Sequence, residues 1–470
     1  MPPRTVHSGQ VCPGGPARAP PAVIPTTHHR EITAGRSGGS CRRATAVRVA
    51  RPGPNAARGP SGREEVGVTS VTNSGPIVVV GAGAAGLATV KGVRANGFTG
   101  QLTWVGAEPE LPYDRPPLSK GILTGTWEPD RVRLCDAAGL ADLDVDLRVG
   151  ATATGADLAE RVVSLADGTR LPFGTLVIAT GVDPRSLPGT SGLRGVHTLR
   201  TLADATALRA ELGPGRRLVV IGAGFLGTEL AAAARTLGTE VHLVEPAPVP
   251  LAAAVGVEVG TMLAALHRDR GVSVRTGPGA AVTELTARDG AVDRVVLADG
   301  STITADVVVV AIGSVPATGW LAGSGLDCSD GVRCDQFCAA APGVYAVGDV
   351  ASWYHPGFAT QVRLEHRTNA GEQGLYVARA VLGRTDEPFT PVPYFWSDQY
   401  DLKIQAFGLL RDHDEVRVVD GAIEDGEFVA LYRRGTRLAG VLGVRKVRAL
   451  RQWQARIKSG SSWADALAAA

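Results

Sequence analysis

The sequence predicts an α/β fold, because one strand–turn–helix pattern occurs twice and a sheet-rich segment follows it. The first copy begins at Pro76 and the second at Arg217; in each, an apolar β-branched run leads through a glycine turn into an Ala/Leu pattern typical of a helix. Two copies about 140 residues apart indicate two Rossmann-like dinucleotide-binding domains rather than a short-period repeat. Alternating apolar residues after about Thr390 predict a smaller α+β domain at the C-terminal end.

Length and composition fit this fold class. The chain has 470 residues, enough for about three domains, and its 60 Gly and 30 Pro favour tight turns over long helices. Its net charge is +2, but ten Arg against three acids put +7 on residues 1–70 and therefore −5 on the rest. This mildly acidic body argues against a nucleic-acid partner. No apolar run approaches the ~18 residues of a membrane helix, so the sequence predicts a cytoplasmic protein with no membrane partner.

Residues 1–74 differ in composition and hydrophobic periodicity from the rest of the chain. They are rich in Pro, Gly, Arg and Ala and have no period of 2 or 3.6. Such a segment buries too little apolar surface to offset the entropy of ordering it and is predicted to be disordered. A mis-annotated start is one alternative, with the true start near Val68, since Gly62 to Val66 is what a purine-rich ribosome-binding site would encode. A basic, acid-poor targeting peptide is another.

The cysteines do not form a recognisable metal motif. All six are scattered without a CxxC pair: Cys12, Cys41, Cys135, Cys328, Cys334 and Cys338. The last three are close in sequence, but no second pair and no nearby His completes a tetrahedral set. Ordinary core or loop cysteines are the favoured interpretation, so we expect no metal site and no iron–sulfur cluster held by this chain.

The first glycine turn has the GxGxxG pattern, with Gly81, Gly83 and Gly86 between strand and helix. The first glycine permits the tight turn, the second lets the backbone approach a pyrophosphate, and the third lets the helix pack on the strand. A lone GxGxxG is weak, and a plain Gly-rich turn is the alternative. Glu108 adds weight, since it lies 22 residues beyond Gly86 after the next predicted strand, where a carboxylate normally meets the adenosine ribose.

The second turn repeats the pattern at Gly222, Gly224 and Gly227, and its next strand ends in Glu245, 18 residues on. That carboxylate can accept hydrogen bonds from both ribose hydroxyls and would repel a 2′-phosphate. No Arg or Lys occurs from Pro246 to Leu266 to attract such a phosphate, so NADH is favoured over NADPH. Two dinucleotides on one chain are most simply explained by hydride exchange between a nicotinamide and a flavin.

Six further motifs, in order, extend the argument to residues 75–460. They are PYDRPPLSK (112–120), ATGVDPRSLPG (179–189), LRTLADA (199–205), VYAVGDVA (344–351), EHRTNAGEQG (365–374) and FWSDQYDLKIQ (395–405). Together they resemble the FAD-dependent NAD(P)H–ferredoxin reductases, of the type that serves putidaredoxin and aromatic-ring dioxygenases. The resemblance implies a glutathione-reductase-like fold in which an FAD domain is interrupted by an NAD domain. The domains expected are the extension 1–74, an FAD domain made of the two segments 75–190 and 315–390, the NAD domain 191–314 between them, and a C-terminal interface domain 391–470.

The same resemblance implies roles for individual residues. Lys120 should lie beside flavin N5 and pair with Glu229, and an ammonium there would stabilise the reduced ring; a surface lysine and a helix-face glutamate are the alternative. Asp349 should hold the ribityl chain. The further FAD contacts implied are Arg115, Arg200, Ala85, Ala151, Arg367 and Trp396, and core packing is an equally good explanation of Trp396.

The sequence departs from the family pattern at three places. Ala107 stands in a slot that is commonly Asp, Arg367 replaces a common tryptophan, and Arg445, Lys446 and Val447 replace an Asn-Arg-Pro sequence. The CxxxxC pair of disulfide reductases is also missing near Ser119. Without that relay, the resemblance implies electrons leaving the flavin one at a time.

The expected function is therefore that of an NADH-dependent FAD reductase of an iron–sulfur ferredoxin, which would feed a monooxygenase or dioxygenase. Nine bases and no acid between Arg433 and Lys458 would steer an acidic ferredoxin, although a solvated basic face explains them equally well. Other acceptors, such as rubredoxin, a quinone or oxygen, are alternatives on the same scaffold. A signalling flavoprotein like the apoptosis-inducing factors is the alternative from another class.

Overall fold

The structure is a computed structural model and describes residues 75–470. The three interpretations of residues 1–74 lie outside the described residues. Within the described range, the strands are β1 (Ile77–Val80), β2 (Leu102–Val105), β3 (Asp146–Arg148), β4 (Ala153–Asp157), β5 (Val162–Leu165), β6 (Arg170–Pro172), β7 (Thr175–Ile178), β8 (Val182–Pro184), β9 (Val196–His197), β10 (Arg217–Ile221), β11 (Glu240–Glu245), β12 (Ser273–Thr276), β13 (Val282–Arg288), β14 (Ala291–Leu297), β15 (Thr302–Thr304), β16 (Val307–Val310), β17 (Ser314–Pro316), β18 (Val332–Cys334), β19 (Ala339–Ala341), β20 (Val344–Ala346), β21 (Ala351–His355), β22 (Thr360–Arg363), β23 (Tyr394–Gln399), β24 (Leu402–Gly408), β25 (Glu415–Ala422), β26 (Glu427–Arg434) and β27 (Arg437–Val444).

The helices of the described residues are α1 (Ala84–Ala95), α2 (Gly121–Thr124), α3 (Ala137–Ala141), α4 (Leu202–Glu211), α5 (Phe225–Thr236), α6 (Ala252–Val255), α7 (Val257–Asp269), α8 (Arg367–Val381), α9 (Arg451–Lys458) and α10 (Trp463–Ala468). Short 3-10 turns lie between them, including Pro116–Ser119 and Gly348–Val350. No helix of residues 75–470 combines the length and the apolar character needed to cross a membrane.

The first sheet has six strands in the order β19-β20-β7-β1-β2-β3. Its central strand β1 pairs in parallel with β2 and with β7, and β20 pairs in parallel with the other edge of β7. All four residues of β1 and of β7 are buried, as expected for strands covered on both faces. The chain therefore begins this sheet near residue 77 and completes it only near residue 346.

The second sheet is built entirely from residues that lie between β7 and β19 in the sequence. It has five strands in the order β12-β11-β10-β16-β9, all parallel. Its central strands Arg217–Ile221 and Val307–Val310 are β-branched and buried. The antiparallel β13-β14-β15 sheet packs on one face of it through Val295 and Ile303.

The third large sheet is antiparallel, in the order β23-β24-β27-β26-β25. One face, with Phe428 and Tyr432, packs against Val259 and Leu263 of α7. The other face is covered by α9, whose Trp453 is 2% exposed. The C-terminal domain is thereby packed against α7, the helix that precedes β12 of the second sheet. The predicted fold class is confirmed, while the individual domain boundaries stay predictions.

Candidate functional site

Both glycine turns open into one cavity of about 1180 Å³. Its wall also contains Lys120, Glu229 and the two aromatic residues Phe395 and Trp396 of β23. Three regions of the chain that are far apart in sequence thus meet at one place. A concave site that combines apolar walls with a few polar groups is typical of cofactor binding.

The first turn has the geometry that a pyrophosphate needs. Gly81 has φ +120°, and a Cβ on it would lie 2.1 Å from the carbonyl oxygen of Ala179. Gly83 is different, because a Cβ there would meet no protein atom within 4 Å. Helix α1 begins at Ala84 with no side-chain cap, so its first N–H groups are available to an anion.

The second turn has the same construction. Gly222 has φ +98°, and its Cβ would lie 2.4 Å from the carbonyl oxygen of Ala311. Gly224 again faces open space, and α5 begins just after it without a side-chain cap. Gly86 and Gly227 each bring a helix against the preceding turn, since a Cβ would approach the oxygen of Gly81 to 2.0 Å and that of Gly222 to 1.9 Å. The residues present therefore fit two dinucleotides.

Trp320 and His366 also line the cavity. Their Nε1 and Nδ1 atoms are buried away from the cavity surface and have no hydrogen-bond partner within residues 75–470. Neither residue was predicted from the sequence.

Glu245 stands at the end of β11 in the cavity wall. Its carboxylate accepts hydrogen bonds from the N–H of Ala223 at 2.7 Å and from that of Ala247 at 2.9 Å. These backbone bonds fix the carboxylate beside the second glycine turn and leave lone pairs for further donors.

Glu108 also reaches the cavity, but its carboxylate is engaged by the protein itself. Arg115 donates to Glu108 Oε1 at 2.5 Å, and the Tyr113 hydroxyl donates to Oε2. Burial raises the pKa of Tyr113 well above its ordinary value. Sequence reasoning missed Tyr113, although it stands two positions before Arg115 in the PYDR sequence. Any ribose contact of Glu108 must therefore share the carboxylate with these two partners.

Asp349, Arg200 and Arg115 form a second polar group in the wall. Arg200 donates to Asp349 at 3.3 Å, and Arg115 donates to the backbone oxygen of Arg200 at 2.5 Å. A capping box between Thr201 and Asp204 starts α4, and Asp204 also accepts from the Arg200 N–H. Burial raises the pKa of Asp349 above its ordinary value, and Arg200 opposes that shift.

The remaining predicted contacts lie around these groups. Ala85 and Ala151 line the cavity, and the Ala151 N–H donates to the Gly106 oxygen at 2.9 Å. Trp396 lines it too, with its ring stacked on Tyr394 at 6.0 Å. Arg367, at the start of α8, forms an ion pair with Asp114. The arginine that replaces the family tryptophan therefore joins two segments 253 residues apart.

Lys120 and Glu229 form the pair that the sequence resemblance implied. Lys120 Nζ lies 2.6 Å from Glu229 Oε2, and the two side chains are 23% and 8% exposed. Glu229 also accepts from the hydroxyls of Ser119 at 2.6 Å and Ser397 at 2.7 Å. Three donors from two distant segments thus satisfy a nearly buried carboxylate, as burial of a charge requires. The two serines were not predicted.

The cysteines lie elsewhere. Among residues 75–470 the four cysteines are free, and none lines the cavity. Burial raises the pKa of Cys334 to about 12, so its thiol is unreactive near neutral pH. No group of three or more His, Cys, Asp or Glu within the described residues is arranged to hold a metal ion.

A fully buried histidine predicts acid sensitivity. Burial lowers the pKa of His267 from 6.5 to about 4, so the unfolded chain takes up this proton first as the pH falls. The stability present above pH 6.5 is therefore lost towards pH 4, by about 3 kcal/mol for this group. We expect His267→Gln to flatten the fall of the urea midpoint over that range. Parallel curves for variant and wild type would contradict the assignment.

The comparisons with known proteins agree with this geometry. The family described as pyridine nucleotide-disulphide oxidoreductase matches residues 75–374, and the reductase C-terminal family matches residues 394–470. Rhodocoxin reductase of Rhodococcus erythropolis is 38% identical over 374 residues, or 79% of this chain and 87% of that protein. The ferredoxin–NAD(+) reductase component of the anthranilate 1,2-dioxygenase system of Burkholderia cepacia is 38% identical over 75% of this chain and 86% of that protein.

A solved structure gives the same result. The reductase in the covalent putidaredoxin reductase–putidaredoxin complex superposes with a TM-score of 0.79 at 32% identity, covering 82% of this chain and 93% of that one. The resemblance inferred from the six motifs is thereby confirmed. The chain belongs to the pyridine nucleotide-disulphide oxidoreductase family and, within it, to the ferredoxin reductases.

Proposed function

We propose that this protein is an FAD-dependent NADH:ferredoxin oxidoreductase. The observation that carries the proposal is the cavity into which both glycine turns open, with the Lys120–Glu229 pair in its wall. Family membership supports FAD and a nicotinamide dinucleotide as the two ligands. The names of the relatives, which are reductases of ferredoxins or of putidaredoxin, support a small iron–sulfur protein as the electron acceptor and an oxygenase downstream of it.

The residues around the first turn would hold the flavin dinucleotide. Gly83 and the N-terminus of α1 offer the pyrophosphate open space and unpaired N–H groups. Asp349 would accept hydrogen bonds from sugar-alcohol hydroxyls, and the ion pair with Arg200 opposes the rise of the Asp349 pKa that burial causes. Arg115, Arg367, Ala85, Ala151 and Trp396 would complete the wall around it. When bound, FAD supplies hydride acceptance from a nicotinamide and release of electrons singly.

Lys120 and Glu229 would set the electrostatics of the reacting region. The nearly buried carboxylate of Glu229 lies 2.6 Å from the ammonium of Lys120 and holds it in the cavity wall. A fixed positive charge in a poorly solvated wall stabilises negative charge that develops nearby, at no cost of reorientation. The role of the protein is then positioning and electrostatics rather than acid–base chemistry.

The absence of a thiol relay supports single-electron exit. Disulfide reductases need a thiolate beside the flavin, whereas Ser119 lies next to Lys120 and no cysteine of residues 75–470 lines the cavity. A location in the cytoplasm, predicted from the sequence, belongs to this proposal as well.

The test of the function starts from purified protein reconstituted with FAD. Rapid bleaching of its visible flavin absorption by NADH, followed by reduction of a ferredoxin from the same source, would support it. A panel of rubredoxin, a quinone and oxygen as acceptors separates the alternative reductases. Failure to retain FAD, or bleaching too slow for turnover, would contradict the proposal and favour a signalling flavoprotein.

Glu245 is expected to set the preference for NADH over NADPH. Its carboxylate is fixed by two backbone N–H groups beside the second glycine turn and would repel a 2′-phosphate. Replacing Glu245 by Ser should raise the ratio of kcat/KM for NADPH to that for NADH by about tenfold or more. Steady-state assays with both dinucleotides measure that ratio, and Glu240→Ser at the exposed start of the same strand is the matched control. An unchanged ratio would remove Glu245 from this role.

The basic segment Arg433–Lys458 is the proposed ferredoxin surface, but its field is weaker than the sequence suggested. Arg433 pairs with Asp414 and Glu415, Arg445 with Asp401, and Lys446 with Asp420 and Glu427. Five exposed bases have no ion pair within the described residues: Arg434, Arg437, Arg448, Arg451 and Lys458.

Reversing two of these bases tests the docking role. Arg448→Glu with Arg451→Glu should lower kcat/KM for ferredoxin about tenfold or more at low salt, because rim charges act on the association rate. Reduction of ferricyanide should be unchanged. The control carries the same change of charge at Arg333 and Arg384, which are exposed residues outside the C-terminal domain. Equal losses in both double variants would refute docking at this segment.

A further inference from the structure

A line of buried hydrogen bonds begins at Glu229 and runs away from the cavity into the C-terminal domain. The Ser397 hydroxyl donates to Glu229 Oε1 at 2.7 Å. Gln399 Nε2 donates to Thr228 Oγ1 at 2.9 Å and reaches Ser397 Oγ at 3.4 Å. Ser397 and Gln399 are both 0% exposed, and as alternate residues of β23 they face α5 together.

The line continues on α7. His267 Nε2 lies 3.1 Å from Gln399 Oε1, and the Tyr400 hydroxyl lies 3.0 Å from His267 Nδ1. The rings of His267 and Tyr400 are 5.3 Å apart. Burial keeps His267 neutral near pH 7, because its pKa is lowered to about 4. A neutral imidazole has one N–H donor and one acceptor nitrogen.

The donors and acceptors allow one consistent direction. Gln399 Nε2 is used as a donor, so Gln399 Oε1 accepts and His267 Nε2 must carry the ring proton. His267 Nδ1 is then an acceptor, and the Tyr400 hydroxyl donates a hydrogen bond to it. Each bond therefore points towards Glu229, where the charge lies. Aligned bonds of this kind polarise one another inside a protein.

We propose that Tyr400, His267, Gln399 and Ser397 are positioning residues that fix the orientation of the Glu229 carboxylate and, through it, the ammonium of Lys120. Ser397 fixes Glu229 Oε1, which leaves Oε2 facing Lys120 Nζ at 2.6 Å. Without this donor the carboxylate would be held only at Oε2, by Ser119 and Lys120, and could turn about that end, since the outer torsion of a glutamate is broad. The effect on the position of the Lys120 ammonium does not depend on the reaction, whereas the effect on flavin reduction rests on the proposed function.

The first test measures the position of Lys120 directly, without turnover. The chain has five lysines, Lys91, Lys120, Lys403, Lys446 and Lys458, so acylation of each can be followed by mass spectrometry on the FAD-loaded protein. Ser397→Ala should increase the acylation rate of Lys120 several-fold, because a carboxylate free to turn away protects the amine less. Lys446, paired with Asp420 and Glu427, is the internal reference. An unchanged Lys120 rate would overturn the proposal.

The second test asks whether the four residues act as a unit. Ser397→Ala should slow flavin bleaching by saturating NADH about tenfold or more, as loss of a hydrogen bond to a charged group implies, with the Kd for NAD⁺ unchanged. Tyr400→Phe, at the outer end, should slow it less. In the double variant the Tyr400 change should add nothing, because the line is already cut. Multiplying effects would mean independent packing roles and would overturn the proposal.

Control variants keep the two tests interpretable. Ser352→Ala removes a buried strand serine outside the cavity and should leave labelling and bleaching unchanged. Should Ser397→Ala fail to fold, Tyr400→Phe at a half-buried position still decides the labelling test. If the protein proved unable to hold FAD, the proposed function would fail, while labelling of Lys120 in the unloaded protein would still decide the positioning role.

Discussion

Lys120→Met is expected to bind FAD and NADH and yet to reduce its flavin about a hundredfold to a thousandfold more slowly than the wild type, the usual effect of losing a preorganised electrostatic group. Met keeps the length of the side chain but removes the charge beside Glu229, 2.6 Å away. Stopped-flow bleaching at saturating NADH measures the effect apart from binding. Glu229 would retain its two serine donors, so a moderate fall in melting temperature is expected rather than loss of the fold.

Lys91→Met is the matched control, since Lys91 is exposed on α1. It should bleach at the wild-type rate. A Lys120→Met protein that bleached as fast as this control would show that the ammonium has no role in hydride transfer. A protein that lost its FAD would instead assign Lys120 to cofactor retention.

Two alanine substitutions in the second glycine turn are expected to have different effects: one should weaken nucleotide binding and the other should destabilise the fold. Gly224→Ala puts a methyl group where no protein atom lies within 4 Å, on a residue with φ −72° that alanine adopts readily. We expect normal folding and FAD content, with the Kd for NAD⁺ raised roughly tenfold to a hundredfold by steric overlap with the pyrophosphate. Gly222→Ala, at φ +98°, forces its Cβ within 2.4 Å of the Ala311 oxygen and should destabilise the domain itself.

Isothermal titration with NAD⁺ and thermal unfolding separate the two results. Gly224→Ala should change the first measurement alone, and Gly222→Ala should lower the unfolding temperature by several degrees. Equal loss of stability in both variants would show that Gly224 is needed for the fold. Unchanged nucleotide affinity in Gly224→Ala would place the pyrophosphate somewhere else.

The sequence predicted the features of the site that depend on local backbone. Gly81 and Gly222 occur where a strand must turn sharply into a helix, and that need is visible in a few neighbouring residues. Glu245 could be placed because a parallel strand delivers its last residue to the same sheet edge as the glycine turn. Lys120 and Glu229, 109 residues apart, were paired only through the family resemblance, since no local pattern joins them.

The rest could not be predicted because it depends on contacts between distant segments. The ribose contact of Glu108 stays a prediction. Its hydrogen bonds with Tyr113 and Arg115 were not predicted, because only the fold of the intervening loop brings those side chains to it. Ser397 reaches Glu229 from 168 residues away. Ser397 is the first of three consecutive polar residues (397–399), and nothing in that local sequence indicates a buried contact with Glu229.

The return of the chain to its first sheet has a consequence for synthesis. Strand β20 (Val344–Ala346) pairs with β7 (Thr175–Ile178), so a nascent polypeptide lacks that neighbour until about 170 further residues have emerged. All strands of the inserted sheet, which ends with Val310, are available earlier. We therefore expect the inserted domain to mature first and the exposed edge of β7 to be the surface most in need of a chaperone during translation.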